Sequence, residues 1–104
     1  MDRHAGKTRT LADAVLNTPG HLPTAVRHAI AGRAAGRAED VPAALAPFVD
    51  KVARHAYRVT PEDFAALRDA GLSEDAIFEA TVSAALGAGM ARLEAGLAAL
   101  RGAR

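Results

Sequence analysis

The chain has no cysteine and no tryptophan, and only one tyrosine and three phenylalanines among 104 residues. Without cysteine there is no disulfide framework, no thiolate metal ligand and no thiol-based redox cycle within the chain. Few aromatics mean few of the side chains that dominate burial energies, so an isolated monomer has a thin core. No apolar run approaches the ~20 residues of a membrane span, and Met1–Asp2–Arg3–His4 does not lead into a signal-peptide core. These absences predict a cytoplasmic protein with no membrane partner. Charge of one sign is also lacking, with a net charge of +1. Nothing therefore drives the chain as a whole toward nucleic acid. No H-E-x-x-H or H-x-x-x-H pattern, phosphate loop, nucleotide fingerprint or Ser-His-Asp order occurs, which leaves no expected metal or cofactor.

What the chain has in quantity is alanine, 27 residues of it. Alanine is the strongest helix former, and with no β alternation in view it predicts one all-α domain over 1–104. Close helix approach and burial of further surface between subunits follow, so a homo-oligomer is expected. Residues 1–9 are polar with no period and read as a frayed, disordered terminus. Thr10 is placed to cap a helix over 11–16 that Asn17-Thr18-Pro19-Gly20 breaks. A second helix starts near Pro23 with Val26, Ala29 and Ile30 on its apolar face, Arg27 and Arg33 elsewhere, and glycines 32 and 36 at its end. Leu45, Phe48, Val49, Val52, Ala56 and Val59 define a third amphipathic segment, restarted at Pro47, with Asp50 and Arg54 spaced for a surface ion pair.

Two helix starts carry fuller signals. Thr60 is an N-cap followed by Pro61 and acidic Glu62 and Asp63, with Val59 set to staple on Phe64. Gly71 ends that short helix, and Ser73 with Glu74 and Asp75 starts the last, running to about Leu100. Three glycines inside this last helix, 87, 89 and 96, each cost about 1 kcal/mol relative to alanine and point to a close backbone neighbour.

The stretch A-Y-R-V-T-P-E-D over 56–63, leading into A-L-R-D-A-G-L-S-E-D-A-I-F-E-A, resembles the carboxymuconolactone decarboxylase and alkylhydroperoxidase D-like superfamily over residues 41–100. In that family C-x-x-C-x-x-x-H precedes the same helix, turn and helix. Here Ala56 and Val59 fall at the cysteine positions and Asp63 at the histidine. The resemblance implies a small all-α bundle with a long Ala/Gly-rich C-terminal helix, whose subunits assemble, commonly as trimers or hexamers. It also implies that thiol peroxidase chemistry is lost.

Three functions stay open. One is an oligomeric scaffold or small-molecule-binding protein. Another is a non-redox, decarboxylase-like lyase or isomerase using Asp63, Tyr57, Glu79 and His55 at a subunit-interface pocket. The third is an accessory subunit docking an acidic partner through Arg27, Arg33 and Arg37, since residues 1–37 carry six basic against two acidic side chains. Each site residue has a plainer reading: Asp63 as a first-turn anion, Tyr57 half-buried with its hydroxyl at an edge, His55 and Glu79 facing solvent.

Overall fold

The computed structural model describes residues 3–102, and all its regular elements are helices. In chain order they are α1 (Arg3–Asn17), α2 (Thr24–Ala34), α3 (Ala46–His55), α4 (Pro61–Asp69) and α5 (Glu74–Gly102). A 3₁₀ turn over Ala56–Arg58 follows α3. The 29 residues of α5 span about 43 Å at 1.5 Å per residue, which accounts for most of the 50 Å long axis of the molecule.

α5 is the element on which the others pack. Its first half buries Ala76, Ile77, Ala80, Ser83, Ala84, Gly87 and Ala88. Against these lie Ile30 of α2, Leu45, Phe48, Val49 and Val52 at and within α3, and Leu67 of α4. Phe48 and Phe64 meet edge to face at 5.6 Å between ring centres, joining α3 to α4. Gly87 faces the α2 backbone: a Cβ there would stand 2.1 Å from the carbonyl oxygen of Ala31. Small residues at this crossing let two helices approach almost backbone to backbone, which is how a chain poor in aromatics closes its core. Gly89 and Gly96 have no neighbour within 4 Å of such a Cβ. Of the three glycines expected at a close contact, Gly87 alone makes one.

The terminators follow the sequence. Gly71 has φ +97°; its N–H donates to Arg68 and that of Leu72 to Leu67, at 2.9 and 3.1 Å, the paired bonds of a Schellman motif. Gly36, at φ +95°, ends α2 in the same way through Gly36 to Arg33 and Arg37 to Gly32. Ser73 Oγ accepts the Ala76 N–H at 3.1 Å and starts α5.

Three expectations need correction. Residues 3–9, expected to fray, belong to α1, while Met1 and Asp2 lie outside the described residues. One glycine among Ala5, Lys7 and Arg9 is too small a penalty to stop the helix. Thr10 consequently lies inside α1, its hydroxyl donating to the Gly6 carbonyl at 2.9 Å rather than capping. Asp50 takes Arg33, not Arg54, as its close partner, although the Arg54 charge also acts on it. Its carboxylate receives both Nε and an Nη of Arg33, each at 2.9 Å, because a two-pronged guanidinium contact from α2 outcompetes a one-turn neighbour on the same helix.

Candidate functional site

Asp63 is at the third position of α4, where its carboxylate accepts the Thr60 N–H at 2.8 Å and closes the first turn. Lys51 of α3 reaches the same carboxylate, with Nζ 3.0 and 2.9 Å from its two oxygens. The lysine and the Thr60 N–H hold the Asp63 carboxyl below its ordinary value of 3.8. An anion stabilised in this way is a weak proton donor at neutral pH. Its contacts are those of a helix cap tied to the neighbouring helix.

His55 ends α3 and Tyr57 is the middle residue of the 3₁₀ turn that follows. Tyr57 is 79% exposed, more than the half-buried position expected for it. Its ring meets that of His55 at 6.0 Å between centres, nearly perpendicular, and the Arg58 guanidinium lies 5.5 Å from the ring centre. The three side chains form a surface cluster.

Glu79 is held more elaborately. Its side chain is 19% exposed, and it receives the backbone N–H groups of His21 at 2.8 Å and Leu22 at 2.7 Å. The His21 ring nitrogen Nδ1 lies 3.1 Å from the same carboxylate. Burial pushes this carboxyl upward, but the two N–H donors and the His21 ring together hold it below its ordinary value of 4.5. Gly20 lets the connection come this close, since a Cβ there would sit 2.8 Å from a Glu79 oxygen. The expectation of a solvent-facing glutamate is therefore corrected: Glu79 clamps the α1–α2 connection to α5.

The counterpart of Glu79 is Arg27, only 3% exposed. Its Nε donates to the Leu22 carbonyl at 3.2 Å and an Nη to the Val15 carbonyl at 2.9 Å, with a third bond to the Thr18 carbonyl. Backbone carbonyls satisfy this buried cation, so the surface role expected for Arg27 is corrected too. With Arg33 engaged by Asp50, two of the three arginines expected to meet an acidic partner are already occupied within the fold.

Within one chain the four candidate acid–base residues do not converge. His55, Tyr57 and Asp63 lie at the end of α3, in the 3₁₀ turn and in the first turn of α4, and Glu79 faces the α1–α2 connection. Glu79 borders a shallow recess of about 300 Å³ with Val15, Gly20, Arg27, Phe78 and Val82. Phe78 also lines a second recess of about 320 Å³, together with Phe64, Ile77 and Thr81 and the charged Arg68 and Glu74. Among the described residues no group of three or more His, Asp or Glu side chains is placed to hold a metal ion. No helix there is long and apolar enough to cross a membrane.

Arg27, Lys51 and His21 were not foreseen in these roles, although spacing marks Arg27. It lies three and four residues before buried Ile30 and Ala31, on the inward face of α2. Glu79 carries the same signal, between buried Ala76 and Ala80 and four residues before Ser83. Comparison with known proteins finds no match to a family model, to a curated protein or to a solved structure.

Proposed function

We propose that this chain is a non-catalytic helical scaffold that works by associating with further copies of itself. The observation that carries the reading is the division of labour among its side chains. Both candidate carboxylates are engaged as anchors of connections, Asp63 by Lys51 and the Thr60 N–H and Glu79 by His21 and Leu22. Large apolar side chains are meanwhile left open on α5, namely Phe78, Leu93 and Leu100. Within one chain Asp63 and Glu79 anchor different connections, which supports the scaffold reading over a lyase whose carboxylates share one pocket. The relationship to the alkylhydroperoxidase D-like superfamily stays part of the proposal, supported by the Thr60 and Ser73 helix starts and the Gly71 turn and by no match to a known protein.

Light scattering on the purified full chain, from micromolar to near-millimolar concentration, tests the reading. A mass of two or more chains is expected. A single-chain mass at every concentration would remove the proposal.

A further inference from the structure

Phe78 is 68% exposed although it adjoins Ile77, which is buried in the core. It lines both recesses, and the one of about 320 Å³ is lined also by Phe64, Ile77 and Thr81. A projecting aromatic beside an apolar hollow is a shape that fits its own copy: under a two-fold rotation each ring faces the other hollow. The charges have the same property. Arg68 and Glu74 also line this recess as a loose pair 3.7 Å apart, with side chains 48% and 84% exposed. A uniformly acidic or basic partner would satisfy one of them and repel the other. A second copy turned by half a revolution offers each the opposite charge.

We infer that a second copy of this chain docks isologously over Phe78, with each ring entering the other copy's recess and Arg68 of each copy meeting Glu74 of the other. This inference rests on the association reading above and adds to it the surface, the symmetry and the contacting residues. The paired rings would lie near the two-fold axis, where aromatic contacts contribute beyond their buried area. The charge exchange fixes orientation more than it adds affinity.

The test uses light scattering on the full chain and four single variants, Phe78→Asp, Thr81→Trp, Arg68→Glu and Glu74→Arg, with circular dichroism to show that each stays helical. Phe78→Asp should weaken association at least tenfold. Thr81→Trp adds apolar surface but fills the hollow, so it should also weaken association, whereas a merely sticky patch would associate more strongly. Arg68→Glu and Glu74→Arg should each weaken self-association when alone, and an equimolar mixture of the two should recover it, because both exchanged contacts regain opposite signs. Wild-type association that none of these variants changes overturns the docking mode and leaves the scaffold reading standing. A wild-type chain that is monomeric throughout overturns both.

Discussion

Arg27 and Glu79 hold Leu22 from opposite sides. The Arg27 Nε donates to the Leu22 carbonyl at 3.2 Å, and the Leu22 N–H donates to Glu79 at 2.7 Å. Opposite charges thus bind complementary ends of the backbone of one loop residue, each satisfying groups that would otherwise stay unpaired near the core. The α1–α2 connection is pinned to both α2 and α5. A cation and an anion that look like surface charges in the sequence instead position the first helix of the fold.

Removing the anion should loosen that connection. Glu79→Ala is expected to destabilise the chain by about 1–3 kcal/mol, the range for leaving part-buried donors unpaired. Gly20→Ala should also destabilise it, because the added methyl would lie within 3 Å of the Glu79 carboxylate. In the Glu79→Ala background that methyl has room, so the two losses should be less than additive by roughly 0.5 kcal/mol or more. A double-mutant cycle by urea denaturation measures this coupling. Strict additivity would show that the close approach has no energetic consequence.

Stability should fall in acid. Asp50, Asp63 and Glu79 are all held below their ordinary values in the folded chain. The unfolded chain therefore takes up protons first as pH falls, which favours unfolding. The stabilisation they provide is fully present above their ordinary range, near 3.8 for aspartate and 4.5 for glutamate, and is lost as pH drops through their lower folded values. Thermal unfolding from pH 7 to pH 3 should show a falling midpoint with most of the loss below that range. Glu79→Gln should reduce the slope, and an unchanged slope would contradict the role given to this carboxylate.

Two neighbouring glycines should respond in opposite directions. Gly87→Ala would place a methyl 2.1 Å from the Ala31 carbonyl and force α2 and α5 apart, at a cost of about 2 kcal/mol or more for an overpacked core. Gly89→Ala meets nothing within 4 Å and should stabilise the helix by up to about 1 kcal/mol. Chemical denaturation of the pair checks the contrast.

Ser83 offers a smaller test. Its hydroxyl is fully buried and has no hydrogen-bond partner among the described residues. Ser83→Ala should be neutral or stabilising by up to about 1 kcal/mol, since it removes an unsatisfied group and improves helix propensity. A loss greater than about 1 kcal/mol would mean that the hydroxyl is satisfied after all.

The start and stop of α4 and the start of α5 were legible because capping is local, whereas the start of α1 was misplaced at Thr10. Thr60, Gly71 and Ser73 carry their reasons within four residues on either side, and each stands where the sequence places it. The buried charges were harder to read. Arg27 and Glu79 are satisfied by backbone groups of a loop whose path depends on α1, α2 and α5 together, so no pairwise spacing of charged residues identifies the partners. Asp50 misled for a related reason: Arg54 is one turn away along α3, but Arg33, 17 residues earlier in the chain, approaches with both prongs of its guanidinium. The exposure of Phe78 was hidden as well, because a band of apolar residues along α5 does not by itself reveal which members the other helices cover.

Light scattering on an equimolar mixture of the Arg68→Glu and Glu74→Arg variants tests the central claim most directly. Association absent in each variant alone and restored in the mixture is the result expected of a scaffold whose copies exchange Arg68 and Glu74 across a two-fold axis. A mixture that stays as dissociated as its components, beside a wild-type chain that assembles, would contradict that geometry.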